Sequence, residues 1–430
     1  MEMLYQYIWK YQILNREFVT TDGRRVKVIY PGRHNLDSGP DFLEAKLMIG
    51  EELWVGNVEV HVKASDWYNH KHDSDIAYNG VIMHVVGIGD RVVADASGRI
   101  IPQLILTFPE SFIKLYAQLA DKISANPCEP YLKELSGLDV VSWMSSLGVE
   151  RMQNKARRII ELCNNLGGDW QQACFVTLAR ALGFGLNSEP LELLARSLPL
   201  KIIYHHIDYR MQLEALLFGQ ACMLDSSFNI FDEYYQSLCR EYVFLARKYQ
   251  LKPMRREMWK YARTRPGNFP HRRIALLASM LCDDTLFIDK VIDNCRDINA
   301  LRNLFRWQAT GYWTTHFDFG KESASLPLHL SEQSVNLLLI NFAAPMIYAY
   351  GATHGDADME ALAMDIWESV PAEQNRITRR WKLAGLPLDN AFSSQSLIEL
   401  SREYCERRQC LNCRFGHALL RKSACLHKYL

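Results

Sequence analysis

The apolar residues of this 430-residue chain change their spacing once, near Pro109. Before that point they alternate or form short β-branched runs; after it they recur every third or fourth position. A period of two belongs to a strand and a period near 3.6 to a helix, and no single backbone satisfies both. The chain is therefore expected to be α+β, with a small mixed-sheet α/β domain followed by a large irregular all-helical region. Leu4, Ile8 and Tyr11 predict an opening helix. Strands follow at 25–29, 43–49, 54–62, 81–86, 92–94 and 101–108, punctuated by turns at Asp22-Gly23, Pro31-Gly32, Gly50-Glu51-Glu52 and Ser97-Gly98. Helices are expected at 140–166, 171–182, 212–224, 228–249 and 274–281, and from Ser396. The boundaries expected are 1–110, 111–395 and a cysteine-containing tail at 396–430.

The stretch from Gly39 to His84 is the richest in chemistry. It holds Asp41, then Glu59, His61 and Lys63 alternating with Val58, Val60 and Val62, so that one strand face is polar and the other apolar. An ordinary surface strand gives the same alternation. A hairpin turn at 50–52 would bring Asp41 beside Glu59 and His61, whereas a one-residue slip would turn it to the other face. Two carboxylates with a nitrogen base beside them suit magnesium or manganese. On that reading Asp41 and Glu59 hold the cation, with His61 or Lys63 beside it. Five of the thirteen histidines lie between His34 and His84. A second reading is thus a zinc site, in which His70 and His72, on one side of an extended segment, join His61, His84 or Asp75.

Pro40-Asp41 followed by Glu59-Val60-His61 resembles the signature of the PD-(D/E)XK nuclease superfamily, and the histidine-rich loop after it is similar to that of very short patch repair endonucleases, a branch of that superfamily. The resemblance implies a restriction-endonuclease-like mixed sheet flanked by helices and magnesium-dependent hydrolysis of phosphodiesters. His61 stands where that family has Lys, and Lys63 points the same way two residues later. Asn35 to Phe42, Gly56 to His61, Ser65 to Tyr68, Arg265 to Pro270 and Glu403-Tyr404-Cys405 resemble segments of the bacterial domain-of-unknown-function 2851 family, a likeness that implies no particular activity.

Cys405, Cys410 and Cys413, followed by His417 and Cys425, have a spacing suited to zinc or an iron–sulfur cluster. The other seven cysteines, from Cys128 to Cys295, are scattered and expected as small core residues. Eleven cysteines without a recognisable secretion signal point to the cytoplasm. The apolar stretch 336–350 is too short for a bilayer and contains Asn341 and Pro345, so a buried core helix is expected and no membrane. Lysines and arginines equal acids at 49 each, which leaves no net field to attract a polyanion. Two segments are nevertheless locally basic, the run from Lys252 to Arg273, which ends in Arg272 and Arg273, and the C-terminal thirty residues. Arg255, Arg256, Lys260, Arg263 and Arg265, interleaved with Trp259, Tyr261 and Phe269, could follow a phosphate backbone in DNA or RNA, although a solvated face reads the same. No P-loop or dinucleotide fingerprint is present, so no nucleotide cofactor is expected. Two functions follow: a metal-dependent nuclease, or a non-catalytic interaction or nucleic-acid-binding protein with a degenerate nuclease-like domain.

Overall fold

The computed structural model describes residues 2–14, 17–35, 37–120, 126–225, 230–262, 264–282, 288–324 and 326–425, without the side chains of residues 424 and 425. The fold is mixed α+β, with the strands early and a large helical region after them. Two compact units are present: Met1–Trp143 with Ser401–Leu430, and Met144–Leu400. This division differs from boundaries at 110 and 396. In the first unit the helix Glu110–Ala120 packs against Arg414–Cys425, burying Phe112 and Leu119 and, from the C-terminal helix, Phe415, Leu419 and Leu420. Apolar burial thus joins the C-terminal segment to the sheet-bearing unit.

The first unit begins with α1 (Glu2–Tyr11), whose Leu4, Tyr5, Ile8 and Trp9 are buried. The strands are β1 (Glu17–Val19), β2 (Arg25–Tyr30), β3 (Arg33–His34), β4 (Phe42–Ile49), β5 (Glu52–Lys63), β6 (Val81–Ile88) and β7 (Gln103–Ile105). They form one sheet in the order β1-β2-β4-β5-β6-β7, with β3 pairing β4. β4 and β5 are antiparallel across a two-residue turn in which Gly50 takes φ +62°. β5, β6 and β7 are parallel, so the chain must cross over between them. The first crossover carries α2 (Asp66–Asn69) and buries Trp67, Tyr78, Val81, Val93 and Ile101 together. Residues 92–94 do not form the expected strand. Asp95 accepts hydrogen bonds from the backbone N–H groups of Ser97 and Arg99, closing a tight turn, and Ala94 makes only an isolated bridge to Ile100. Pro102, which has no N–H to give a ladder, delays β7 to Gln103.

α1 packs on β5 and β6. Their close approach depends on Gly87 of β6, where a Cβ would overlap the ring and hydroxyl of Tyr5. Gly87→Ala is therefore expected to destabilise the protein by about 1–3 kcal/mol through overpacking. Urea denaturation would measure it, and an unchanged midpoint would show that Tyr5 does not pin α1 to the sheet.

The second unit is the large helical region expected, and among its described residues it also holds a short ladder of His316–Asp318 with Lys321–Glu322. Among the described residues one helix, Glu332–His354, is long and apolar enough by composition to cross a membrane, and 72% of its most apolar window is buried inside the fold. That is the environment of a core helix. Pro345 is accommodated by a wide turn at Leu339–Ala343, which absorbs its missing N–H.

Candidate metal centre

The pairing of β4 with β5 decides where Asp41 points. From Ile49↔Glu52 to Ala45↔Gly56 the register is regular, and continued unbroken it would set Asp41 across from Val60. An irregularity between Ala45 and Phe42 shifts the register so that Phe42 faces Val58. Glu44 takes φ +60° there, and its N–H donates to Asn57 Oδ1 at 3.3 Å. Asp41 consequently lies opposite Glu59 on the polar face. The loop before it is held by Asn35, whose Nδ2 donates to the Ser38 and Pro40 carbonyls and whose N–H donates to the Asp41 carbonyl.

The two carboxylates interlock. Asp41 N–H donates to Glu59 Oε2 at 3.0 Å, and Val60 N–H donates to Asp41 Oδ2 at 3.1 Å. Gln6 of α1 donates to Asp41 Oδ1 at 2.9 Å. Burial, then the charge of Glu59, pushes the Asp41 carboxyl up to about 7. Glu2 of α1 is also raised, chiefly by burial.

The crossover after β5 adds two histidines. α2 ends with Lys71 at φ +63°, Lys71 N–H donating to the Tyr68 carbonyl and His72 N–H to that of Trp67. This is a Schellman-type stop without the usual glycine. It folds His70 and His72 back toward β5, so the extended segment expected here is instead a helix terminus. His70 Nδ1 lies 3.1 Å from His61 Nε2. Glu59 Oε1 lies 3.4 Å from His61 Nε2 and 3.3 Å from His72 Nε2. His72 also stacks on Tyr78, whose hydroxyl is pushed up to about 12 by burial and by Glu59 and Asp41.

Three ring nitrogens thus converge, and Glu59 Oε1 adjoins two of them, those of His61 and His72. Among the described residues, His61, His70 and His72 are the group of three ligating side chains whose donor atoms lie within 4.8 Å of one another. A tetrahedral site with bonds of ~2.0–2.1 Å has ligand-to-ligand edges of about 3.3–3.4 Å. Three of the six edges, His61–His70 at 3.1 Å, Glu59–His72 at 3.3 Å and Glu59–His61 at 3.4 Å, are near that size. Burial, with His70 and His72 adding to it, pushes His61 down to about 3, so the ring is neutral as a ligand must be. Its approach to Glu59 is therefore not an ion pair. Its other nitrogen, Nδ1, lies 2.9 Å from Nε2 of fully buried His84, a contact that orients the ring. Nitrogen-rich donors with one carboxylate favour zinc, manganese or iron over magnesium.

The structure thus brings Asp41, Glu59 and His61 together and adds Gln6, His70 and His72. Lys63 is exposed at the end of β5 and stands outside this cluster, with Asp90 the carboxylate that feels its charge. Asp75 caps the 3-10 turn Ile76–Tyr78 by accepting from Ala77 N–H.

The C-terminal thiols present a different picture. Cys410 and Cys413 are buried and Cys405 is half-buried, and none of the described cysteines forms a disulfide. Cys425 is the last residue of its helix, and its side chain lies outside the described residues. Cys128, expected as an isolated core residue, lies near Cys413 and Cys410. Burial, then these two thiols, pushes it up to about 12. Burial pushes Cys413 up to about 11. His417 Nε2 is engaged with the Leu411 carbonyl at 2.6 Å. Among the described residues these thiols do not form a group of three within 4.8 Å.

Of the basic residues, Arg255, Arg256, Lys260 and Arg265 are exposed, and Arg263 lies outside the described residues. Trp259 is buried, its Nε1 donating to the Ala221 carbonyl at 2.8 Å, so it is a core residue and not a stacking platform.

No curated protein and no solved structure matches the chain. The family model described as "Protein of unknown function (DUF2851)" matches residues 2–376, which include the whole of the Asp41–His84 cluster, and the chain belongs to that family.

Proposed function

We propose that the Asp41–Glu59–histidine cluster is a divalent-metal centre that hydrolyses phosphodiester bonds in DNA or RNA, in the manner of PD-(D/E)XK nucleases. One observation carries the reading: the irregular register of β4 places Asp41 against Glu59, on the polar face that also presents His61. Glu59, His61, His70 and His72 would hold the cation. A cation there supplies Lewis acidity and a more acidic water. Asp41 anchors Glu59 through its backbone N–H, and its own carboxyl can hold or release a proton near neutral pH. His84 fixes the plane of His61. His70 is the exposed member of the histidine group and the one able to meet a substrate.

The test is cleavage of single- and double-stranded DNA and RNA by purified protein with manganese, zinc or magnesium, against the Asp41→Asn variant. Metal-dependent cleavage lost in Asp41→Asn supports the reading. Inactivity on all substrates with every metal would favour the degenerate, non-catalytic alternative. That alternative has its own support in Lys63, which is exposed at the end of its strand, where it would not offset charge developing in the cluster. On either reading Arg255, Arg256, Lys260 and Arg265 are proposed contacts to a phosphate backbone. Neutralising Arg255, Lys260 and Arg265 together is expected to flatten the salt dependence of nucleic-acid binding by roughly three counterions. An unchanged slope would leave them a solvated face.

A further inference from the structure

The helical unit contains a cavity of about 420 Å³ at the start of the helix Pro270–Cys282. Arg272 and Arg273 from the first turn of that helix line it, as do Ser323, Ser331 and Ser334. By sequence these arginines continue a basic, solvated run. In the fold they are 2% and 5% exposed.

Arg272 Nη2 donates to the Pro327 carbonyl. Its Nε and Nη1 are buried and have no hydrogen-bond partner. A guanidinium carries one N–H on Nε and two on each Nη, so most of its donors are unpaired. Arg273 Nη2 donates to Asn268 Oδ1, and its guanidinium lies 4.5 Å from the centre of the Phe184 ring. Among the described residues neither arginine has a carboxylate partner. Burial alone acts on Arg272, and burial together with Arg272 acts on Arg273. Two neighbouring cations are thus withdrawn from water at a helix N-terminus, whose dipole adds further positive potential. Buried charges are ordinarily paired, and an unpaired one is strongly destabilising.

We propose that this cavity binds a phosphomonoester of nucleotide size, with the phosphate on Arg272. The unpaired atoms are sealed from solvent, so the Arg272 side chain would turn them into the cavity to meet the three terminal oxygens of a phosphate dianion, whose charge the second guanidinium balances. The hydroxyls of Ser331 and Ser334, 3.0 Å apart, line the same wall and can turn toward an acceptor. A carboxylate would leave several of these donors unused. The cavity is larger than one inorganic ion, and Leu276 and Leu328 give it an apolar wall for the rest of the ligand. Because side chains supply the donors, no glycine-rich phosphate loop is required.

The phosphate could belong to a free nucleotide or to the 5′ end of a strand. Full-length protein would be titrated at constant ionic strength with a nucleoside 5′-monophosphate, its nucleoside, and a short DNA strand with and without a 5′-phosphate. The expected result is at least tenfold tighter binding of the phosphorylated member of one pair. A preference confined to the strand identifies a strand end, and equal preference in both pairs identifies a free nucleotide. Arg272→Met keeps the volume, removes the charge and should abolish the preference without lowering the stability of the protein. If that variant does not fold, Ser334→Asp, which places a carboxylate on the same wall, should abolish it too. Wild-type protein binding phosphorylated and unphosphorylated probes equally would overturn the phosphate assignment. A preference surviving in a folded Arg272→Met or Ser334→Asp variant would overturn the location.

Discussion

Glu59→Gln is expected to cost at least about 100-fold in divalent-cation affinity and to abolish phosphodiester cleavage. An outer-shell partner of a metal ligand typically accounts for 10–100-fold, and Glu59 is proposed here as a ligand itself. Its two oxygens do different things: Oε1 faces His61 and His72, while Oε2 accepts the Asp41 N–H. Glutamine has one acceptor oxygen and one NH₂ group. It can keep the Asp41 hydrogen bond only by turning NH₂ toward the imidazoles, which removes both the negative charge and the lone pair. The fold should survive, because Phe42, Val58 and Val60 remain buried around the strands. His72→Ala separates two possible centres. If the imidazoles hold the cation, His72→Ala should lower zinc or manganese content nearly as much as Glu59→Gln. If Asp41 and Glu59 alone hold magnesium, it should change little. Metal content after dialysis, with circular dichroism as the folding control, would measure both. Full cation occupancy in Glu59→Gln would remove Glu59 from the centre altogether.

The residue types of this centre were legible in the sequence, and its assembly only in part. Asp41, Glu59 and His61 could be named because carboxylate and imidazole alternate with valine along one strand. Their convergence could not be established, since it depends on a register shift at Leu43 and Glu44 with no glycine to advertise it; Glu44 itself carries the positive φ. The same reason hid the positions of His70 and His72. Their helix stops at Lys71 in a left-handed conformation where glycine is usual, so the segment read as extended. Lys63 illustrates the opposite case. Period-two spacing gave it the correct face, but the end of the strand carries it into solvent. Cys128 is the core residue expected, but its nearness to Cys410 and Cys413, like the burial of Arg272 and Arg273, depends on long-range neighbours that leave no local pattern. A basic run in sequence does not reveal that its last two members lie under Pro327 and Phe184.

Stability should report the proton on Asp41 directly. The carboxyl titrates at about 7 in the fold, against 3.8 for an ordinary Asp. A group whose pKa is raised on folding favours the folded state when protonated, and that contribution is lost as pH rises through the folded value. Metal-free protein should therefore lose up to about 4 kcal/mol from this residue between pH 4 and pH 8, at 1.36 kcal/mol per pKa unit. The histidines act in the opposite sense. His61 and His84 are held below 6.5 chiefly by burial, so they destabilise the fold as pH falls below that value. Asp41→Asn isolates the carboxyl, because these histidines are present in both proteins and Asn cannot titrate. The variant's advantage over wild type in chelator-treated samples should accordingly grow from pH 5 to pH 8. Saturating manganese should reverse the order at pH 8. A cation on Glu59 and the histidines would offset the charge of ionised Asp41 in wild type and stabilise the fold by mass action, and the variant has less negative charge to hold it. Urea denaturation at the two pH values, with and without metal, would measure this. A difference between the proteins that does not change with pH would show that Asp41 is already ionised in the metal-free fold.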